Sequence, residues 1–291
     1  MSATGKILVT GATSDYGSAL IQNLIAVGAD IRAFVHTESK AQGLREAGVE
    51  VVVGDYLQPE TLDAAFERVD KVCLHTPLVP DAAKMASNCI AAAKRAGKPH
   101  IVRLSEKTPE PVSAVRTGVL HAQVNAELEA SGLPYTSLRL TFYMQNALWA
   151  APSIASSGMI YMPVEDAKFV MVDMRDVSEA AAKVLTTEGH ENQTYVLTGP
   201  ALLSFHDIAS SLSKVLGKDV KYVNVPMEAA LEAFIGMGAP KWLAEAFCEY
   251  FENYRKGGSA GTTNDFEKVT SHPPRSFETF ARDFAQYFGK S

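Results

Sequence analysis

The 291-residue sequence predicts an α/β fold with a doubly wound parallel sheet and a smaller C-terminal part. A short apolar segment of strand type is followed directly by a glycine-containing loop and then by a helix-type segment. Strand-type and helix-type segments then alternate along the first half of the chain, which is typical of a parallel sheet. Near residue 150 this alternation gives way to a less regular order of elements, so we place the boundary between the two parts there.

The first unit, residues 6–36, combines a strand at residues 7–10, a loop at 11–17, a helix that ends before Gly28 and a second strand that ends before His36. Gly11 permits a tight turn off the strand, and Gly17 permits close packing of the helix on the sheet. Amide groups at the start of such a helix form a binding site for a pyrophosphate. Ser14 stands where these loops often carry a middle glycine, and we expect its hydroxyl to bind a phosphate. The unit therefore predicts dinucleotide binding, and the alternative is a nucleotide fold that has lost its ligand.

The remaining segments follow from apolar periodicity, helix-starting prolines and β-branched runs. Strands are predicted at residues 49–53, 69–75, 100–105, 136–140, 169–172, 194–197 and 220–225. Helices are predicted at residues 40–47, 59–66, 81–96, 118–131, 176–186 (with an aspartate cap), 204–216, 226–236, 240–256 and 277–288. Ligands of doubly wound sheets bind beyond the carboxyl ends of the strands, so the residues at which strands end are the candidates for a site.

Composition excludes several classes of protein. The net charge is −6 and the pI about 5.7, which argues against a nucleic-acid-binding surface. The first strand begins near residue 6, which leaves no room for a signal peptide, and no apolar run is long enough to span a membrane. Cys73, Cys89 and Cys248 lie far apart without metal-ligand spacing, so we expect no metal site. A cytoplasmic enzyme fits these features best.

Several segments in order resemble the NmrA-like branch of the atypical short-chain dehydrogenase/reductases. They read GATSDYG, GVEVVVGDYLQPETLDAAF, ELEASGLPYTSLRLTFYMQN, DMRDVSEAAAKVL and TYVLTGPALLSFHDIASSLS. The resemblance implies an NAD(P)-binding Rossmann domain over residues 1–150 and a smaller α+β substrate-binding part over residues 151–291, with interleaved chain segments. It also implies NADP as the cofactor, with NAD as the alternative. The family includes quinone reductases, dye reductases and redox-sensing regulators.

The resemblance assigns cofactor contacts to the strand exits. The family often carries an arginine after the second strand to bind the adenosine phosphate, and this chain has His36 there, with Lys40 retained. Because position 36 carries no acidic residue, nothing there would repel the 2′-phosphate of NADP, and this favours NADP over NAD. The alternative is that His36 is an exposed loop residue. The expected cofactor-binding residues are Gly11, Thr13, Ser14, Tyr16, Gly17, His36, Lys40, Asp55, Tyr56, Thr76 and Pro77.

The usual proton relay of short-chain dehydrogenases is missing, because none of the ten tyrosines has a lysine four positions further on. His121 matches the position of the catalytic lysine in isoflavone-reductase-like relatives, so we expect it to act as a general acid. Many NmrA-like relatives have His-x-x-x-Glu, and this chain has Asn125 four residues after His121. Residues four apart share a helix face, so Asn125 is expected to orient the imidazole. The alternative is a structural histidine.

Other expected site residues lie at the ends of the fifth and sixth strands. Ser105 is expected to bind a substrate carbonyl, with Lys107 also within reach. Tyr143 is a further catalytic candidate. Phe142 and Asn146 match the F-x-x-N segment of the family and are expected to contact substrate.

Together these features predict an NADP-dependent reductase that transfers hydride to an apolar, aromatic carbonyl, quinone or conjugated double bond. The main alternative is a non-catalytic redox sensor that binds NADP(H) and acts through a protein partner. A weaker alternative is an isomerase or dehydratase with permanently bound cofactor. The expected partner is a small apolar or aromatic substrate, with no nucleic acid and no membrane, and a homodimer is left open.

Overall fold

The computed structural model describes residues 5–107, 112–258 and 261–289. The chain divides into two compact units, and each is assembled from separate stretches of sequence. Unit 1 comprises the chain up to Glu106, Leu120–Arg139 and Val177–Val196. Unit 2 comprises Lys107–Val119, Leu140–Asp176 and the chain from Leu197 onward. The division therefore follows no single point in the sequence.

The described residues form strands and helices that we number in chain order. The strands are β1 (Lys6–Val9), β2 (Asp30–Val35), β3 (Glu50–Val53), β4 (Lys71–Leu74), β5 (His100–Glu106), β6 (Tyr135–Leu140), β7 (Phe142–Tyr143), β8 (Met159–Met162), β9 (Phe169–Val172), β10 (Gln193–Leu197), β11 (Leu202–Leu203) and β12 (Lys221–Asn224). The helices are α1 (Asp15–Ala26), α2 (Gln42–Glu46), α3 (Pro59–Phe66), α4 (Ala82–Arg95), α5 (Arg116–Glu129), α6 (Ala151–Ser157), α7 (Met174–Thr186), α8 (Phe205–Leu216), α9 (Met227–Gly236), α10 (Lys241–Arg255), α11 (Asp265–Thr270) and α12 (Phe277–Asp283).

A seven-stranded sheet with the order β10-β6-β5-β4-β1-β2-β3 forms the centre of unit 1. Strand β1 pairs in parallel with both β2 and β4, so that Leu8 lies opposite Arg32 on one side and Val72 on the other. The strand order reverses between β1 and β4, and in such sheets ligands bind beyond the carboxyl ends of the strands at this point. The predicted doubly wound Rossmann-type fold is confirmed.

The core of unit 1 explains why these segments fold as strands and helices. Leu8, Val72 and Ile101 on neighbouring strands have no more than 1% of their surface exposed, and they pack with Phe66 of α3 and Ile90 of α4. Burial of an aliphatic or aromatic side chain of this size contributes about 1.5–3 kcal/mol. The sheet is thereby held as a rigid base for the loops at its carboxyl edge.

Two histidines lie at the opposite, amino edge of the same sheet. His100 opens β5 with 6% of its surface exposed, and its Nε2 lies 2.9 Å from the Thr136 hydroxyl. That hydroxyl donates to the His190 carbonyl, so it accepts from His100 Nε2. Burial, together with the nearby positive charge of Lys71, outweighs the attraction of Glu191 and lowers the pKa of His100 to about 4. His100 is therefore neutral in the folded protein near pH 7.

Unit 2 contains two small sheets around an aromatic core. Strand β9 pairs in parallel with β7 and antiparallel with β11, while β8 and β12 form a parallel pair. Phe169 stacks on Tyr254 with ring centroids 4.9 Å apart, and it meets Phe142 and Phe205 at 5.7 and 5.5 Å. Helix α8 begins with a capping box formed by Ser204 and Asp207, as its N-cap serine predicts.

The bounds of two predicted helices need correction. Helix α7 begins at Met174, two residues before the predicted start, because the Asp173 side chain accepts the Arg175 amide at 2.9 Å and caps the helix. Asp176 lies inside the first turn, where its buried carboxylate accepts hydrogen bonds from the Arg275 amide and guanidinium. The last predicted helix, 277–288, ends at Asp283 and continues as a 3₁₀ turn.

Within the described residues, no helix combines the length and the apolarity that crossing a membrane requires.

Candidate active site

The glycine loop lies at the carboxyl end of β1. Gly11 has φ +65°, and a Cβ atom there would lie 2.5 Å from the His75 ring. A Cβ atom on Gly17 would lie 2.2 Å from the Gly11 carbonyl oxygen. Both positions therefore require glycine, one for its backbone conformation and one for the close approach of α1. The twelve-residue helix α1 directs its N-terminal amides to this edge, and such a terminus favours an anion.

Ser14 has a different role from the expected phosphate contact. It is the N-cap of α1, and its hydroxyl accepts the Gly17 amide at 3.0 Å. The same hydroxyl donates to the Gly11 carbonyl at 2.8 Å, so its hydrogen is already used within the loop. The Ser14 hydroxyl thereby links Gly11 of the loop to Gly17 in the first turn of α1.

Tyr16 and Tyr56 support the loop from beneath. Tyr16 is 3% exposed, and its ring packs edge-on against His75. Tyr56 is 6% exposed, and its hydroxyl accepts the Gly11 amide at 2.7 Å and donates to the His75 carbonyl at 3.3 Å. Burial raises the pKa of Tyr56 far above its ordinary value. The side chains of both tyrosines, expected to contact the cofactor, are instead packed inside the protein and shape the loop.

A cavity of about 390 Å³ adjoins the loop in unit 1. Thr13 and Lys40, both exposed, line it together with Ala12 and Ser18. His36 is exposed directly after β2 and is not a lining residue of this cavity. The structure thus brings together two of the expected cofactor-binding residues, Thr13 and Lys40.

Asp55 follows β3 and is partly exposed. Its carboxylate accepts the Leu57 amide at 2.8 Å, and its own amide donates to the Thr61 hydroxyl at 3.0 Å. These bonds form a local turn of the Asx type. Asp55 keeps one carboxylate oxygen available at the strand exit, so its expected contact with the adenosine stays a prediction.

Arg103 is a functional candidate that the sequence interpretation missed. It lies in the middle of β5 with 4% of its surface exposed, and its Nη1 donates to Asn125 Oδ1 at 2.7 Å. Its Nη2 lies 3.2 Å from His121 Nδ1. Asn125 was expected to orient the imidazole directly, but its side-chain oxygen accepts from the guanidinium, which lies between Asn125 and His121. A charged residue between the apolar Val102 and Leu104 of a predicted strand was the signal that could have revealed Arg103.

Ser105 and Glu106 face the same imidazole. The Ser105 hydroxyl lies 3.4 Å from His121 Nδ1, and Ser105 is 1% exposed. Its burial leaves no surface for a substrate carbonyl, so the expected substrate contact is corrected to a contact with His121. On the other side of the ring, Glu106 Oε2 lies 3.8 Å from His121 Nε2, which is beyond hydrogen-bond distance.

The electrostatics of this cluster keep its histidines neutral. Burial, followed by the charges of Arg103 and His75, holds the pKa of His121 well below its ordinary value. Burial and Arg103 also lower the pKa of His75 to about 4. Burial lowers the pKa of Arg103 too, but Glu106 opposes this shift and the guanidinium stays charged at neutral pH.

A narrow crevice connects this cluster to the exit of β4. Thr76 and Pro77 line it, together with Arg103, His121 and Val124. The His121 side chain keeps 21% of its surface exposed. The structure therefore places the two residues expected beside the nicotinamide next to the expected catalytic histidine.

The remaining candidates belong to unit 2. Phe142 is 8% exposed and contacts the rings of Trp149, Phe169 and Phe251, so it is part of the core and not the expected substrate contact. Tyr143 pairs with Val172 in β7 and is partly exposed. Asn146 lies partly exposed in the following 3₁₀ segment, and Lys107 is exposed. The roles of Tyr143, Asn146 and Lys107 stay predictions.

Comparison with known proteins gives a consistent result. The model of the NmrA-like family matches residues 3–281. An NAD(P)H azoreductase of Xenophilus azovorans is 38% identical over 283 residues, which cover 97% of this chain and 99% of that protein. An NADPH complex of an Escherichia coli quinone oxidoreductase superposes with a TM-score of 0.87 at 29% identity, covering 96% of this chain and 99% of that one. A Citrobacter sp. triphenylmethane reductase complexed with NADP(H) gives a TM-score of 0.86 at 30% identity and the same coverage.

Proposed function

The chain belongs to the NmrA-like family and is an NADP-dependent reductase of apolar substrates, and we propose that its acceptors are aromatic compounds reduced at a conjugated bond, such as quinones. The observation that carries this proposal is the position of His121. Its partly exposed imidazole opens into a crevice beside Thr76 and Pro77, at the sheet edge that also carries the glycine loop. A crevice lined mainly by apolar side chains, with Thr76, Arg103 and His121 as its polar residues, suits an aromatic acceptor better than a sugar or a charged acid.

The residues present fit an NADP cofactor. A Cβ atom on Gly17 would fill the space beside the Gly11 carbonyl, and the N-terminal amides of α1 supply donors for the pyrophosphate. Thr13 and Lys40 line the adjoining cavity and would hold the adenosine phosphate. When bound, the nicotinamide supplies the hydride.

The protein's own part in the reaction is to orient the acceptor and to exclude water. Pro77, Leu78 and Val124 form apolar walls of the crevice, and the His121 ring donates a hydrogen bond to the oxygen or nitrogen atom of the acceptor. A donor placed where negative charge develops stabilises the transition state more than the ground state.

The test is NADPH oxidation, followed by its absorbance, with a panel of quinones, azo dyes, enones and aryl ketones. We expect turnover with quinones and azo dyes. The redox-sensor alternative would be favoured if no acceptor is reduced and NADPH changes binding to a protein partner. Cofactor that co-purifies with the protein and is not consumed would favour the isomerase or dehydratase alternative.

Two further expectations belong to this proposal. We propose a cytoplasmic location, which the three free cysteines support because thiols stay reduced in that compartment. We also propose that the chain binds no nucleic acid, as its net charge of −6 suggests. Fractionation of cells and a DNA-binding assay at low salt test these points, and sedimentation determines whether the protein is a homodimer.

A further inference from the structure

We propose that Arg103 is a positioning residue that holds His121 neutral, with its ring proton on Nε2. In this state His121 donates a hydrogen bond to the anion formed on the acceptor and does not transfer a proton to it. The inference rests on the proposed function for the identity of the acceptor. The protonation state itself rests on the geometry of the cluster alone.

The tautomer follows from the chemistry of the guanidinium. Arg103 Nη2 lies 3.2 Å from His121 Nδ1, and a guanidinium has donors but no acceptor. Nδ1 must therefore be the unprotonated ring nitrogen, which leaves the proton of the neutral imidazole on Nε2. The Ser105 hydroxyl lies on the same side of the ring, 3.4 Å from Nδ1.

The orientation of Arg103 depends on Asn125. The Asn125 side-chain oxygen accepts Nη1 at 2.7 Å, and both residues are nearly fully buried, at 4% and 6% exposure. An amide at this position fixes the guanidinium without neutralising it. A carboxylate there would cancel much of the positive charge that His121 experiences. The neutral Asn125 thus preserves the charge of Arg103 beside the imidazole.

Charged and titratable groups face this pair from several elements. Arg103 itself and His75 at the exit of β4 both disfavour a second proton on His121. Arg139 of β6 further destabilises the charged form of Arg103, and Glu106 of β5 supports it. Glu106 also lies 3.8 Å from His121 Nε2 and is the one acidic group that we find against the ring among the described residues. The positive charge of Arg103 therefore lies on the Nδ1 side of the ring, and the carboxylate of Glu106 lies near the Nε2 side.

The chemical consequence is a site for anions. A quinone that takes up hydride gains two electrons and one proton and becomes a hydroquinone monoanion. The Nε2–H group of His121 donates to this oxyanion, polarised by Arg103 on the opposite side of the ring. The second proton comes from water. Acceptors that form stabilised anions, such as quinones, are therefore favoured over simple ketones, whose alkoxide needs a proton from an acid.

The direct test is ¹⁵N NMR of the histidine rings in the NADP⁺-bound protein, with His121→Asn used to assign the His121 signals among the seven histidines. We expect an unprotonated Nδ1 and a protonated Nε2 that do not change between pH 6 and pH 8. A protonated Nδ1, or a titration of His121 in this range, overturns the inference. This measurement needs no acceptor, so it stands even if no acceptor is reduced and the proposed function fails.

Variants test the role of Arg103. Arg103→Met removes the charge and the hydrogen bond to Nδ1, so we expect His121 to titrate between pH 6 and pH 8. Because His121 itself is retained, kcat with a quinone should fall by less than the roughly 10²-fold that loss of a transition-state donor costs. Arg103→Lys keeps the positive charge, so His121 should again not titrate between pH 6 and pH 8. Asn125→Asp keeps Arg103 but cancels much of its charge, so in this variant His121 should titrate in that range. Arg95→Met is the matched control, because exposed Arg95 pairs with Asp63 at the surface.

The outcomes are separable. If His121 titrates identically in wild type and in Arg103→Met, then Arg103 does not control its protonation and the inference is wrong. If the Arg103→Met protein is unfolded by circular dichroism, the comparison of Asn125→Asp with wild type decides. An unchanged His121 spectrum in Asn125→Asp then counts against the inference.

Discussion

Replacing Gly17 by alanine tests the nucleotide loop most sharply. The new Cβ atom would lie 2.2 Å from the Gly11 carbonyl oxygen and 2.9 Å from the Ala12 Cα atom. Ordinary contacts need about 3.5 Å, so α1 or the loop must shift by about 1 Å. Overpacking of this kind costs about 1–3 kcal/mol of stability. Because the same backbone supplies the phosphate-binding amides, we expect NADPH affinity to fall by at least about tenfold.

The assay is calorimetric titration of the folded variant with NADPH, together with thermal unfolding. Gly236→Ala is the matched control, because Gly236 lies in helix α9 with no atom within 4 Å of the added Cβ. That control should keep its NADPH affinity and gain up to about 1 kcal/mol of stability. A folded Gly17→Ala protein that binds NADPH as tightly as wild type would refute the assignment of this loop to the cofactor.

The other predictions concern cofactor choice, the imidazole and acid stability. The protein should bind NADPH about tenfold more tightly than NADH, and Lys40→Ala should remove most of that difference in calorimetric titrations; equal affinities in wild type would contradict it. His121→Ala should lower kcat by about 10²–10³-fold at unchanged NADPH affinity, and His121→Gln, which keeps an N–H donor, should lose less; equal losses in the two variants would argue against a donor role. The pKa of His100 is about 4 in the folded protein and 6.5 when unfolded, so the unfolded state binds a proton first as the pH falls. The free energy of unfolding is therefore highest above pH 6.5 and falls by about 3 kcal/mol as the pH approaches 4. Urea unfolding of wild type and His100→Gln at pH 7 and pH 4.5 measures this, and an equal loss of stability in both proteins would exclude His100 as a cause.

Local patterns in the sequence were enough to predict most of unit 1. The first six strands and the loop between β1 and α1 were found because apolar periodicity and glycine spacing are local signals. Strands β7, β8 and β11 were missed, since two of them have only two residues and their pairing with distant segments determines them. Which segments belong to which unit depends on contacts between residues that are far apart in sequence, and local sequence patterns do not show such contacts.

The candidate site was predicted in part. His121 was found by its position on α5, but spacing along a helix shows only that Asn125 shares its face, not that Arg103 of another element lies between them. Ser14, Tyr16 and Tyr56 occupy the expected places along the chain. Their hydroxyls make contacts within the protein, with the Gly11 carbonyl, the Cys73 sulfur and the Gly11 amide, and the order of residues along the chain does not reveal these contacts. Burial likewise removed Ser105 and Phe142 from the expected substrate contacts.

The most direct test of the central claim, that this protein passes hydride from NADPH to an aromatic acceptor, is a single-turnover experiment. Protein saturated with NADPH, or with NADPH deuterated at the transferred position, is mixed rapidly with a quinone and the loss of the reduced nicotinamide is followed. We predict rapid loss in one phase that is slower with the deuterated cofactor, together with one equivalent of hydroquinone. Persistence of bound NADPH in the presence of every quinone and azo dye tried would contradict the account.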